Sequence, residues 1–304
     1  MFQWRLTSVL FYIKKTKAGT VFDIFNVILS VVFFFLFFYP FWNQLILSLN
    51  EGTDAVRGGI YWWPREFIWS NYEYVVTVAG FGRSVIVSLL RVVIGTVTNL
   101  AACGILGYVL AQKSFKGKKF MRLITVLTMC IPMGLIPTYI LYNELNLLDT
   151  FTVYWLPGLI SGWNVLMITS YIENQPDALM ESARLDGAGE LTIFARIIFP
   201  ISVPVFAALA VITGVNHWNS WFDVMVYNAS GDYDTLQMTL RRLLMKSEIA
   251  KDLMSSNVNE AFKMLTTTTI RAATTMVVTI PIAIIYPFFQ WYFVGGISLG
   301  AVKG

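Results

Sequence analysis

The sequence has 304 residues, of which 56% are hydrophobic and only 13% are charged. A soluble domain carries about 25% charged residues, so half that fraction leaves too few polar side chains to cover a surface that faces water. The composition therefore excludes a chain built mainly of soluble domains and indicates a membrane protein. A net charge of +4 is ordinary when cytoplasmic loops are rich in Lys and Arg, and it does not require a nucleic-acid partner.

Six apolar stretches are long enough to cross a bilayer, and none alternates as a barrel strand does. They predict an all-α integral membrane protein with six transmembrane helices. Their approximate limits are Ile24–Leu49, Ser84–Gln112, Leu123–Leu141, Phe151–Tyr171, Ile201–Val224 and Thr274–Phe293. Proline residues within these stretches predict kinks in the helices, at Pro132, Pro137 and Pro281.

Lys and Arg residues predict the orientation of the spans. They are concentrated in the N-terminal arm and between the second and third stretches, which the positive-inside rule places in the cytoplasm. The connection with Glu144 and Asp149 has neither and is placed outside, so both termini are cytoplasmic. The predicted division is an arm of residues 1–23, a transmembrane domain of residues 24–293 with external segments at about 50–83 and 225–271 and a cytoplasmic loop at 172–199, and a tail of residues 294–304.

The cytoplasmic loop at 172–199 is unusually acidic, with five carboxylates against Arg184 and Arg196. Acidic residues weigh little in topology, so insertion is not disturbed. The same carboxylates also suit a docking element that faces a basic partner. Residues 176–185 predict a short helix that opens with a proline, and residues 186–188 predict a turn. A second helical piece, residues 190–198, is expected to end at Pro200.

The loop also carries a spaced motif. Glu181-Ser182-Ala183, three residues, Gly187, nine residues and then Ile197-Ile198-Phe199-Pro200 resemble the Glu-Ala-Ala signature of membrane subunits of bacterial ATP-binding-cassette (ABC) importers. Ser182 stands for the second Ala and Phe199 for a Leu. The resemblance extends over most of the chain and is strongest to maltose-type carbohydrate-uptake permeases such as the alginate importer. It is also carried by Trp63-Pro64, Pro137-Thr138-Tyr139, the run from His217 to Phe222, the run from Trp291 to Gly296, and the tail from Gly300 to Gly304.

The resemblance implies a type I ABC importer permease in the cytoplasmic membrane of a bacterium. Its segment at 176–185 would be the coupling helix in a groove of the ATPase, with Glu181 facing the ATPase and Gly187 allowing a turn that a side chain would obstruct. The residues implied in coupling are Glu181, Ser182, Ala183, Asp186, Gly187, Ala188, Pro200, Lys303 and Gly304. The implied partners are a second membrane subunit, two cytoplasmic ATPase subunits holding ATP and Mg, and an external solute-binding protein that contacts the two long external segments.

The sequence itself also limits the energy source. No Asp or Glu lies inside the six stretches, only in connections or at their edges, which disfavours coupling to an ion gradient. The fragment Gly117-Lys118-Lys119 lacks the first Gly and the Ser/Thr of a phosphate loop, so the chain is not expected to hydrolyse ATP. Energy is expected from a partner that acts on the cytoplasmic surface.

Polar and aromatic residues within the stretches are candidates for the substrate path. Each has a second interpretation: Arg91 could extend to the lipid headgroups, Asn99 and Asn164 could join helices by hydrogen bonds, and the aromatic residues could form an interfacial belt. A metal site is not expected, because the chain has one His. The candidate path residues are Arg91, Asn99, Tyr139, Asn164, His217, Trp218 and Asn219.

These observations predict a permease subunit that imports an oligo- or polysaccharide by alternating access. Permeases for another solute, such as amino acids or phosphate, share the same membrane pattern and are the main alternative. A channel would not need an acidic docking loop. An intramembrane enzyme would need a catalytic group of residues at membrane depth, which a lone His217 does not supply.

Overall fold

The computed structural model describes residues 17–77, 80–131, 133–253 and 266–301. Apart from one isolated antiparallel bridge between Asn50 and Phe67, these residues contain no extended strand, and the all-helical fold is confirmed. The helices are α1 (Lys17–Ser48), α2 (Gly52–Val56), α3 (Ser70–Thr77), α4 (Phe81–Ala111), α5 (Lys118–Cys130), α6 (Leu135–Glu144), α7 (Gly162–Glu173), α8 (Ala178–Leu185), α9 (Glu190–Ile193), α10 (Phe199–Asn219), α11 (Phe222–Tyr227), α12 (Leu236–Leu253) and α13 (Thr267–Ala301). A 3-10 turn occupies Phe151–Tyr154 and a π turn occupies Phe194–Ile198.

Four helical segments among the described residues are long and apolar enough to cross a membrane: Gly19–Ser48, Phe81–Ala111, Glu190–Asn219 and Thr268–Ile285. Helices α5 and α6 add a fifth if they are counted as one broken span, and their axes are bent by 113°. The kink predicted at Pro132 lies outside the described residues. The stretch predicted as the fourth span forms the 3-10 turn and the 12-residue α7, so the count of six stays a prediction.

The predicted fifth span differs from the structure at its C-terminal end. Helix α10 ends at Asn219, because Ser220 is extended with a ψ of 126°. The chain then turns into α11. As a result Asp223, which the sequence places at the edge of an apolar stretch, belongs to a separate short helix that can approach α4 from the side.

Helix α4 lies at the centre of the bundle, with α7 and α10 packed against it. Two glycines of α4 allow this close approach. A Cβ added at Gly104 would lie 2.9 Å from the Phe206 ring of α10, and one at Gly107 would lie 2.8 Å from Ile168 of α7. Small residues at such contacts let helix backbones approach in lipid, where dispersion between closely packed surfaces replaces the hydrophobic effect.

A second cluster joins α3 and α12 to the last helix. Leu236, Leu240 and Leu243 of α12 are buried with Val75 of α3 and Ile270 of α13. Helix α1 instead contacts α13, and its side chains from residue 21 to residue 38 are exposed, as suits a helix surrounded by lipid.

Candidate functional site

Helix α8, in the acidic loop, packs beside the C-terminal end of α4 through one face. Met180 and Ala183, three residues apart, are buried in the cluster that also contains Leu110 and Ala111 of α4. The opposite face is exposed, and Leu185 at its end is 89% exposed. We call the exposed residues Glu181, Ser182, Leu185 and Asp186 the coupling surface.

Ala183 therefore differs from the sequence expectation. The resemblance implied that Ala183 takes part in coupling to the ATPase, but Ala183 packs against the core of its own chain. Ser182, beside it, remains on the coupling surface. The small residue at position 183 thus serves to bring α8 close to α4, and the partner-facing role is left to the exposed residues.

The end of α8 is a Schellman motif. The N–H of Gly187 donates to the Arg184 carbonyl and the N–H of Ala188 donates to the Ala183 carbonyl, each at 3.0 Å. Gly187 has a φ of +79°, and no atom lies within 4 Å of the position that a Cβ would take. The turn that the sequence predicted is present, but its glycine is needed for the left-handed backbone conformation and not for space.

Three of the five loop carboxylates are neutralised within the chain. Asp177 pairs with Lys113. Glu173 lies 2.5 Å from both Lys118 and Arg122. Burial alone would raise the pKa of Glu173, but hydrogen bonds and charge from these two cations hold its pKa below the ordinary value.

The third neutralised carboxylate, Glu190, accepts hydrogen bonds from Arg184 at 2.9 Å and from the Tyr108 hydroxyl at 2.5 Å. By contrast, Glu181 and Asp186 are exposed, and neither forms a hydrogen bond or ion pair through its side chain with the described residues. The docking hypothesis for the loop therefore narrows to these two carboxylates, both of which lie on the coupling surface.

The same contacts attach α8 to α4. Arg184 donates to the Gln112 side-chain oxygen at 2.5 Å as well as to Glu190, and Tyr108 of α4 completes the group. Sequence reasoning did not select Tyr108 or Gln112, because about 70 residues separate Gln112 from its partner and no local pattern links them. These hydrogen bonds hold α8 against the end of α4.

Pro200 does not close the second helical piece as predicted. Helix α9, the π turn and α10 run on as one helical segment from Glu190 to Asn219, with Pro200 in the first turn of α10. Proline lacks an N–H and displaces the preceding turn, and the wider π turn accommodates that without ending the helix. The other predicted contacts, Lys303 and Gly304, lie outside the described residues.

Arg91 is buried and paired. Its side chain is 3% exposed, forms an ion pair with Asp223 of α11, and places its guanidinium 4.6 Å from the centre of the Tyr154 ring. It is therefore a buried and paired charge in this conformation. The sequence did not predict Asp223 as the partner of Arg91, because the two residues are 132 positions apart and Asp223 was assigned to the edge of a span.

Asn99 and Asn164 are also buried. Asn164 donates to the side-chain oxygen of Asn99 at 2.7 Å and to the Thr213 hydroxyl at 3.1 Å, and Asn99 donates to the Gly158 carbonyl at 2.7 Å. The network links α4, α7 and α10. In this conformation the two amides therefore join helices, which is the second of the two interpretations that the sequence left open.

The remaining candidates are more accessible. His217 is half-buried against Gly95, where an added Cβ would lie 2.5 Å from its Nε2. The indole N–H of Trp218 donates to the Val278 carbonyl of α13 at 3.3 Å. Tyr139 is 42% exposed, and Asn219 is exposed at the end of α10. The seven predicted path residues therefore do not share one environment: three are buried in polar contacts and four are at least partly accessible.

The chain is similar to several known transport proteins. Residues 104–298 match the family described as "Binding-protein-dependent transport system inner membrane component". The chain is 32% identical to Protein LplC of Bacillus subtilis (strain 168), over 95% of this chain and 97% of that protein.

Two further matches are to proteins whose names specify a transported glycan. The arabinooligosaccharides transport system permease protein AraQ of Halalkalibacterium halodurans is 31% identical, over 91% of this chain and 96% of that protein. A solved structure of a bacterial ABC transporter involved in the import of the acidic polysaccharide alginate is similar, with a TM-score of 0.77 and 26% identity. That match covers 91% of this chain and 98% of the other.

Proposed function

Because the chain belongs to the family of binding-protein-dependent transport system inner membrane components, we propose that it is the permease subunit of an ATP-driven importer of an oligo- or polysaccharide. The observation that carries the substrate class is similarity, over more than nine-tenths of the chain, to proteins whose names specify arabinooligosaccharides and alginate. An acidic, alginate-like glycan is the finer form of the proposal.

The chain is a transport subunit and not an enzyme, since its relatives are permease subunits that work with separate ATPases. ATP and Mg are assigned to those partners. The coupling surface supports this assignment, because Glu181 and Asp186 are exposed carboxylates without a partner among the described side chains. A basic groove on an ATPase would neutralise them, and exposed charges cost little before docking.

Two connections carry motion from the coupling surface into the membrane. The first is the polar group of Arg184, Glu190, Tyr108 and Gln112, which attaches α8 to α4. The second is the continuous helical segment Glu190–Asn219, which leads directly from the loop into α10. When ATP closes the partner ATPases, α8 moves with them, and the packed pair of α4 and α10 changes between inward- and outward-facing arrangements.

The remaining partners are proposed from the same membership. An apolar groove of about 610 Å³ between α4 and α10, lined by residues that include Val97, Ala101 and Val203, offers a surface for a second membrane subunit. The external segments, where Trp62 and Trp63 are exposed, are the proposed contacts of a solute-binding protein. Placement in the bacterial inner membrane with cytoplasmic termini, and contact of Lys303 and Gly304 with the ATPases, complete the proposal.

The test is purification of the complex from its native membrane, followed by reconstitution with its binding protein. ATPase activity is measured against uronate oligosaccharides, neutral oligosaccharides, amino acids and phosphate. We expect an ATPase and a second membrane subunit to co-purify and oligosaccharides to stimulate hydrolysis. If only amino acids or phosphate stimulate hydrolysis, the proposed carbohydrate substrate is wrong. A stable complex without an ATPase would overturn the whole proposal.

A further inference from the structure

The external face carries a group of side chains that the coupling mechanism does not use. Asn219 ends α10, Trp221 follows it, and Gln237 and Arg241 lie on α12. The Arg241 guanidinium lies 3.6 Å from the centre of the Trp221 ring, and the Gln237 amide donates to Asn219 at 3.3 Å. We call these four residues the outer polar cluster.

Packing fixes the position of the outer polar cluster. Helix α12 buries Leu236, Leu240 and Leu243 against α3 and α13, so one side of the helix is held by the core. Gln237 and Arg241 are four residues apart and so share a second side, which faces the end of α10. The guanidinium is therefore presented from an anchored helix and is restrained by Trp221.

Charge distinguishes Arg241 from its neighbours. Arg242 pairs with Asp234 at 2.9 Å and Arg83 pairs with Asp232 at 3.6 Å, whereas exposed Arg241 has no carboxylate within ion-pair distance among the described side chains. A stacked guanidinium keeps the N–H groups at its edges free, and their planar arrangement matches a carboxylate in two-point hydrogen bonding.

We propose that the outer polar cluster binds a uronic-acid unit of an acidic oligosaccharide as it enters the importer. Arg241 takes the carboxylate, and the Asn219 and Gln237 amides, which can both donate and accept, take neighbouring hydroxyls. The inference rests on the proposed function, in its acidic-glycan form, and adds the residues that contact the carboxylate and the hydroxyls. An anionic lipid headgroup could also pair with Arg241, but it has fewer hydroxyl groups for the Asn219 and Gln237 amides to bind.

The experiment uses the assembled complex with its binding protein in nanodiscs of zwitterionic phosphatidylcholine. The half-maximal concentration for ATPase stimulation is measured with a uronate trisaccharide and with a neutral trisaccharide. We expect Arg241→Ala to raise this half-maximal concentration about tenfold for the uronate trisaccharide and to leave it unchanged for the neutral one. A tenfold change is about the size expected for the loss of one charge-assisted hydrogen bond. Arg241→Lys is expected to give an intermediate value, because it keeps the charge without the planar fork.

Arg57→Ala is the control for docking of the binding protein, since Arg57 is an exposed arginine of the other external segment and any effect of its loss is expected to be equal for the two sugars. An equal shift for both sugars in Arg241→Ala would assign the residue to binding-protein docking and overturn the inference. So would an effect that appears only when anionic lipid is added, or a wild-type complex that responds to neutral sugars alone. If no oligosaccharide stimulates the wild-type complex, the carbohydrate function itself fails.

Discussion

The acidic loop and the buried ion pair beside α4 handle charge in opposite ways. In the loop, Asp177, Glu173 and Glu190 are paired within the chain, while Glu181 and Asp186 stay exposed and unpaired among the described residues. Around α4, the buried Arg91 guanidinium has both a carboxylate and an aromatic ring.

The difference follows from the cost of desolvation. An exposed carboxylate keeps its water, so it can remain unpaired until a partner arrives. A charge within the membrane costs several kcal/mol unless it is paired, so Arg91 requires Asp223 for folding before any other role. The lack of a partner among the described residues, and not charge or exposure alone, therefore separates a candidate contact from a structural pair, since Glu190 is exposed and yet paired.

The strongest test of the contrast is in the loop. Glu181→Lys reverses an exposed charge, and Gly187→Asp places a side chain at a φ of +79°, which residues with a Cβ rarely adopt. Both are expected to abolish ATP-dependent transport while the protein still inserts, because loss of an interfacial charge alone costs about 2 kcal/mol or more. Uptake into vesicles measures transport, and membrane fractionation measures insertion.

Asp177→Asn is the control, because it removes a carboxylate of the same loop that already has Lys113 as partner. It should retain most of the uptake. Wild-type uptake in both Glu181→Lys and Gly187→Asp would contradict docking through the coupling surface.

The second test breaks the buried pair from each side. Asp223→Asn leaves a guanidinium that is 3% exposed without a counter-charge, whereas Arg91→Met leaves an aspartate that is 28% exposed. We expect Asp223→Asn to lower the free energy of unfolding by about 3–5 kcal/mol and Arg91→Met to lower it clearly less. Thermal unfolding of the purified protein in detergent compares them, and equal losses would contradict the structural reading of the pair.

The smallest expected effect concerns packing beside that pair. Gly95→Ala places a Cβ 2.5 Å from His217 and is expected to cost about 1–3 kcal/mol through overpacking. Gly214→Ala is the control, since its nearest contacts would be at 3.6 Å. The double variant Gly95→Ala/His217→Ala should recover part of the loss in the same unfolding assay. No recovery would show that His217 does not fill this contact.

Local patterns in the sequence predicted much of this molecule. Long apolar stretches predicted the helical membrane fold, because a backbone in lipid must satisfy its hydrogen bonds internally. The motif around Glu181 and Gly187 predicted the helix and turn of the acidic loop, because capping and left-handed turns depend on neighbouring residues. These features need only a few consecutive positions to be specified.

The tertiary structure alone decided which groups meet. Arg91 and Asp223 are 132 residues apart, and Arg184 and Gln112 are 72 apart, so no local periodicity could pair them. The end of α10 at Asn219 and the broken fourth stretch likewise depend on how the helices pack. Charge count and span composition are properties of the chain, but whether a charge is a candidate contact or a structural pair depends on which side chains packing brings within reach of it.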